Sequence, residues 1–210
     1  MKILHLCVGV VRTNCYIIFD EATKEGAVVD PGDSADAILE QIRKEGIALK
    51  YILLTHAHFD HILAVKAVKE ATGAQLVLHE ADAGMLKKET MSDFRPYITN
   101  YQEPTVDIYA KEGTQVAFGG MAATYLNTPG HTPGSSVIMI GDCLFTGDTL
   151  FRHECGRCDL PGGNFDQMLE SLKRLHDLPG DFHVLPGHED MSTLTEERSQ
   201  NPYIRQALAR

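Results

Sequence analysis

The segment Thr55-His56-Ala57-His58-Phe59-Asp60-His61 places imidazoles and a carboxylate side by side in one short stretch. Imidazole nitrogen and carboxylate oxygen are good ligands for Zn²⁺, Mn²⁺ or Fe²⁺. With the further donors downstream, the stretch holds more ligand groups than one closed tetrahedral ion uses, which points to two adjacent ions. His131 lies in Thr128-Pro129-Gly130-His131-Thr132-Pro133-Gly134, Asp148 in Gly147-Asp148-Thr149, and His188 in Pro186-Gly187-His188. A single His or Asp in such a turn is usually only a turn residue. Its recurrence just past successive predicted strands argues for one site assembled from several loops. Two divalent ions about 3.5–4 Å apart can share a hydroxide, because metal binding lowers the pKa of water toward ~7. Such a site needs no activated Ser or Cys.

Short Ile- and Val-rich runs bounded by turn residues must carry these loops. Lys2 to Val8, Cys15 to Phe19 and Gly26 to Val29 read as strands. Asp30-Pro31-Gly32 is a turn, after which Ser34 caps a helix closed by Gly46. Tyr51 to Leu54 reads as a buried strand leading into the His-rich loop, with a helix from Ile62 to Thr72 beyond it. Gln75 to Leu78 is a further strand. Residues 84 to 110 suggest a helix and a long connection over a pocket. Strands then follow at Thr114 to Phe118, Ala122 to Leu126, Ser136 to Ile140 and Cys143 to Phe145. A helix over Phe165 to His176, a strand over His183 to Leu185 and a last helix after Ser192, its end interrupted by Asn201-Pro202, complete the pattern. No linker stands out, so one domain over residues 1–210 is expected.

The order H-x-H-x-D-H, then His, Asp and His, resembles the ligand set of the metallo-β-lactamase superfamily. Within it the sequence is most similar to glyoxalase II-like (hydroxyacylglutathione hydrolase-like) single-domain hydrolases. Thr13-Asn14-Cys15-Tyr16, Asp30-Pro31-Gly32, Thr128 to Ser135, Gly147 to Phe151, Gly156-Arg157, Asp159 to Gly163 and Asn201-Pro202 carry that resemblance along nearly the whole chain. It implies an α/β (α+β) fold, the αββα four-layer sandwich of two mixed β-sheets flanked by helices. It also implies that His56, His58 and His131 hold one metal, that Asp60, His61 and His188 hold the other, and that Asp148 bridges them. The implied cofactors are two divalent ions, zinc foremost, with iron or manganese as alternatives. Asp60 would also orient the hydroxide that attacks a thioester. Arg157 falls where glyoxalase II has a lysine near the site. It would bind a substrate carboxylate, or else form a loop ion pair with Asp159.

The pattern has departures. Leu63-Ala64 stand where Gly-Gly is usual, and the added bulk is expected to narrow the site. Glu189-Asp190 follow His188, adding negative charge near the second metal or facing solvent. Cys155-Gly156-Arg157-Cys158 is a lone C-x-x-C, which reads as two reduced thiols sooner than as a redox pair. His153 is expected to face the pocket, whereas His5, His79, His176 and His183 read as structural or surface residues. The C-terminal helical extension that supplies basic residues for glutathione in glyoxalase II is not in the sequence, which leaves the thiol open.

A net charge of −10 over 210 residues disfavours nucleic acid and anionic membrane as partners. A small-molecule acyl substrate fits, and the oligomeric state stays open. Five scattered cysteines and no export signal or long apolar run suggest a cytoplasmic protein. The alternative function is a mononuclear-iron persulfide dioxygenase on the same fold, using His56, His131 and Asp148. A non-enzymatic scaffold, a lactonase and a β-lactamase are further readings.

Overall fold

A computed structural model describes residues 1–99 and 101–210. Alternating apolar residues build the first sheet from β1 (Lys2–Val8), β2 (Thr13–Phe19), β3 (Glu25–Val29), β4 (Ala48–Leu53), β5 (Gln75–His79) and β6 (Ile108–Ala110). These lie in sequence order, antiparallel across β1, β2 and β3 and parallel from β3 to β6. The parallel pairs need crossovers. Helix α1 (Ala35–Glu45) supplies the first, and α2 (Phe59–Ile62) with α3 (Val65–Thr72) the second. The second sheet has the order β14-β13-β10-β9-β8-β7. Its strands are β7 (Gln115–Phe118), β8 (Met121–Asn127), β9 (Ser136–Ile140), β10 (Cys143–Gly147), β13 (His183–Pro186) and β14 (Ser192–Thr193). A two-strand ribbon, β11 (Leu150–Phe151) and β12 (Glu154–Cys155), stands apart. Helices α4 (Phe165–His176), α5 (Leu194–Gln200) and α6 (Pro202–Leu208) complete the chain.

Strand periodicity explains the layers. In β2, Tyr16 and Ile18 face the other sheet, where they meet Tyr125, Ile138 and Phe145. Ile17 and Phe19 face outward onto a cluster that includes Ile38 and Ile42 of α1 and Val65 and Val68 of α3. Every residue of β2 is therefore buried. On the second sheet, Val137, Leu144 and Val184 pack against Met168, Leu172 and Leu175 of α4 and Ile204 of α6. The result is two mixed sheets face to face with helices outside, the αββα sandwich expected. Each buried Leu, Ile or Phe contributes about 1.5–3 kcal/mol by leaving water.

The element ends differ from expectation for identifiable reasons. Ser34 occupies the position before α1, but at φ 56° its side chain makes no capping bond to the helix. Its hydroxyl turns to Asp33 instead. Asn201-Pro202 both ends α5 and begins α6. Asn201 Oδ1 accepts from the amides of Tyr203 and Ile204, and Pro202 takes the first helical turn, where no amide donor is needed. The expected helix within 84–110 is instead two 3-10 helices, Glu80–Leu86 and Lys88–Phe94, followed by β6. Asn100, in the same stretch, lies outside the described residues.

Topology gathers the loops. Strands β8 and β10 both run antiparallel to β9, and β13 runs parallel to β10. The C-terminal ends of β8, β10 and β13 therefore lie at one edge of the second sheet. The loop after β4 meets that edge, where the amide of Ser136 donates to Thr55 O at 2.9 Å. The amide of Asn14 donates to Gly187 O at 2.7 Å and so ties β2 to the loop after β13.

Candidate metal centre

His56 and His58 leave the end of β4, while Asp60 and His61 ride on the single turn of α2. His131 comes from the loop after β8, Asp148 from the turn after β10 and His188 from the loop after β13. All of these side chains converge. His58 Nδ1 lies 2.7 Å from His131 Nε2, and the rings of His56 and His131 are 4.8 Å apart. On the other side, His188 Nε2 lies 3.1 Å and His61 Nε2 3.4 Å from Asp60 Oδ2. Asp148 stands between the groups: its Oδ2 is 3.4 Å from His131 Nε2 and 3.6 Å from His188 Nε2, and its Oδ1 is 3.4 Å from His61 Nε2. Two donor triads result, His56/His58/His131 and Asp60/His61/His188.

The outward ring atoms are held by the protein. His61 Nδ1 is 2.9 Å from Asp30 Oδ2, and Asp30 also accepts from the amide and hydroxyl of Thr55 at 2.8 and 2.6 Å. His131 Nδ1 donates to Arg157 O at 2.7 Å, which puts its proton on the outer nitrogen and leaves a lone pair on Nε2, facing His58. Thr13 Oγ1 donates to Asp60 Oδ2 at 3.2 Å. Buried Asp82 accepts from the amides of Ala57 and Gly134 and from Thr132 Oγ1, so one carboxylate clips the loop of His56 and His58 to the loop of His131.

Buried His56 Nε2, His61 Nε2 and Asp148 Oδ1 have no hydrogen-bond partner among the described residues. An unmade bond at a buried polar atom costs about 1–3 kcal/mol. Converging orphans of matching donor type fit cations, so the residues present suit two divalent ions. The charges agree. Burial and the neighbouring imidazoles push His56 down, and burial pushes His58 down to about 4. Burial opposes charge on His61, but Asp60, Asp148 and Asp30 outweigh it and raise the imidazole. Burial likewise acts against Asp60 and Asp148, and the facing histidines overcome it, holding both carboxyls below their ordinary range.

A cavity of about 510 Å³ opens on the cluster, with His58, Asp60, Asp148 and His188 at its floor and Phe59 and Phe151 in its walls. Arg157 also lines it, with its guanidinium paired to Asp159 at 2.6 and 2.8 Å.

A family model described as "Metallo-beta-lactamase superfamily" matches residues 8–188. The chain belongs to the metallo-beta-lactamase superfamily. Within the superfamily it is 29% identical to the hydroxyacylglutathione hydrolase GloC of Haemophilus influenzae, over 97% of this chain and 98% of that one. It is also similar to TTHA1623, solved in a di-iron-bound form, at TM-score 0.84 and 33% identity, over 96% of this chain and 100% of that one. ETHE1 from Myxococcus xanthus superposes at TM-score 0.81 and 31% identity, over 96% of this chain and 84% of that one. These superfamily relatives match the chain over the elements that carry the cluster.

The expectations for Leu63-Ala64 and for His153 need correction, whereas that for the two cysteines does not. Leu63 and Ala64 do not narrow the metal pocket. They sit between α2 and α3 and line a separate cavity with Asp33, Ser34 and Tyr97. His153 turns away at φ 61°, with its Nε2 2.9 Å from Glu196 Oε1 and its amide donating to Glu197 Oε2. Cys155 and Cys158 are free thiols, part-buried against the α4 core, and burial pushes Cys155 up to about 12. A thiol held so high is a poor nucleophile at neutral pH. Asp190 faces solvent beside Arg152, while Glu189 lines the mouth of the metal pocket. Thr13, Asp30 and Asp82 carry no local pattern that marks them in the sequence as partners of the ligands. The one signal for such residues is chemical: a metal-binding histidine needs a partner for its outer nitrogen.

Proposed function

We propose that this protein is a metal-dependent hydrolase that cleaves a small thioester. The carrying observation is the convergence of unpartnered His56 Nε2, His61 Nε2 and Asp148 Oδ1 between the two donor triads. When bound, two divalent ions, zinc foremost with iron or manganese as alternatives, supply a Lewis acid and a water-derived nucleophile at neutral pH. His56, His58 and His131 would hold one ion, Asp60, His61 and His188 the other, with Asp148 between. Asp60, steadied by Thr13 and His188, orients the attacking oxygen toward the pocket. Asp30 and Arg157 O keep the inner nitrogens of His61 and His131 facing inward. A thiolate leaves without protonation by a general acid, so the step needs no further proton donor. The name of the GloC relative supports a thioester as substrate.

No helix among the described residues is long and apolar enough to cross a membrane. The free thiols suit a reducing compartment, and we place the protein in the cytoplasm, acting on a small molecule.

The test is metal analysis together with thiol release from acyl thioesters by zinc-, manganese- and iron-loaded protein. Two metals per chain and metal-dependent thiol release are expected. Full occupancy without turnover on any thioester would overturn the proposal. The second reading, an iron persulfide dioxygenase on His56, His131 and Asp148, stays open beside the likeness to ETHE1, and the di-iron-bound neighbour shows iron on this fold. One iron per chain with oxygen uptake on a glutathione persulfide would select it.

A further inference from the structure

Beside the metal pocket lies a second cavity of about 400 Å³. Met85, Met91, Leu160 and Pro161 line it, and it shares His58, Phe59, Phe94 and Leu160 with the metal pocket. No Asp, Glu, Lys or Arg lines it among the described residues. Two of its lining rings, Phe59 and Phe94, stack 4.6 Å apart, and Tyr97 of the metal pocket stacks on Phe59 at 5.4 Å. The shared wall, His58, Phe59, Phe94 and Leu160, includes one of the converging imidazoles. A group attached to a carbon reacting at the cluster would thus lie against an apolar chamber.

Charge around the metal pocket points the same way. Arg157 is the one Lys or Arg in the described lining of either cavity, and Asp159 holds its guanidinium through two hydrogen bonds. Glu189 adds a carboxylate at the mouth. Beyond the ions themselves, a carboxylate on either half of the substrate would meet a guanidinium already paired to Asp159 and the carboxylate of Glu189. Apolar pockets with few polar groups select by buried area.

We infer that the second cavity is the acyl subsite, and that the substrate is a thioester of an apolar, medium-length acyl group on a thiol lacking recognised carboxylates. This rests on the hydrolase reading above. The 3-10 segments Glu80–Leu86 and Lys88–Phe94 supply Met85, Met91 and Phe94 and so set the acyl length.

The test uses metal-loaded protein and acyl thioesters of one neutral thiol, N-acetylcysteamine, from acetyl to octanoyl, with lactoylglutathione alongside. We expect kcat/KM to rise about fourfold per methylene until the cavity fills, and to be lower for lactoylglutathione than for the octanoyl ester. Met85→Trp, which fills the chamber, should cut the octanoyl-to-acetyl ratio at least tenfold. That ratio is taken within one preparation, so the folded fraction cancels. Ready turnover that is flat across acyl length, or best on lactoylglutathione, overturns this inference and leaves the hydrolase intact. No turnover on any thioester overturns the hydrolase reading. Calorimetry with octanamide and acetamide then decides the subsite: stronger octanamide binding lost in Met85→Trp upholds the apolar chamber, and equal or absent binding overturns it.

Discussion

Asp30 Oδ2 lies 2.9 Å from His61 Nδ1, and both side chains are buried. The pairing fixes the imidazole with its other nitrogen toward Asp60 and Asp148. Gly32, in the same turn, lets α2 approach: a Cβ there would lie 1.7 Å from Asp60 O. Partners of metal-binding histidines typically carry 10–100-fold in metal affinity. Asp30→Ala is therefore expected to weaken binding at the Asp60/His61/His188 triad by about 10–100-fold. Chelator competition measures this, and affinity equal to the parent protein at both sites would contradict it.

Gly187 is packed against the cluster. A Cβ at this position would lie 2.4 Å from Asp148 Oδ1 and 2.7 Å from His61 Cε1. Gly187→Ala must push the Asp148 carboxylate aside. We expect a folded protein, judged by circular dichroism, with fewer bound metals per chain by elemental analysis. Unchanged stoichiometry and activity would show that the turn gives way instead.

Asp82 accepts three hydrogen bonds across two ligand loops. Asp82→Ala orphans the buried amide of Gly134 and the amide of Ala57, at about 1–3 kcal/mol each. Urea denaturation of the metal-free protein should show a loss of about 2–6 kcal/mol. A loss below about 0.5 kcal/mol, the range of ordinary surface changes, would mean that water replaces the carboxylate.

Acid sensitivity has a site far from the metals. Burial pushes the Asp107 carboxyl up, but Lys69 and the amide of Leu76 outweigh it and hold the group below its ordinary 3.8. A depressed folded pKa means that the unfolded chain binds the proton more tightly, so the stabilisation is present above 3.8 and disappears as pH falls through the folded value. Asp107→Asn should cost about 1 kcal/mol at neutral pH. The gap to the parent should close in acid. A gap that is constant with pH in thermal melts would remove the ionised carboxylate from the account.

Residue types and local spacing are enough to propose the His56-to-His61 loop, the turn of His131 and the positions of Asp148 and His188. Each is a short-range pattern, a donor just past an apolar run in a Gly- or Pro-rich turn, and such patterns survive without coordinates. The sandwich followed from the resemblance those motifs carry, because two mixed sheets are one of several architectures that the same strand order allows. Strands β11, β12 and β14 are two residues each, too short for a period to register. The 3-10 segments lack the sustained spacing of an α-helix.

What tertiary structure alone decided is which distant groups meet. Thr13 reaches Asp60, Asp30 reaches His61, and Asp82 reaches Ala57 and Thr132 only because sheet order and register bring separate loops to one edge. The same packing turned His153 toward α5, put Leu63 and Ala64 in another cavity, paired Arg157 with Asp159 and opened an apolar chamber behind His58. Side-chain direction depends on neighbours far along the chain. The sequence could therefore name the donors, while the environment that would select a substrate came only with the packed molecule.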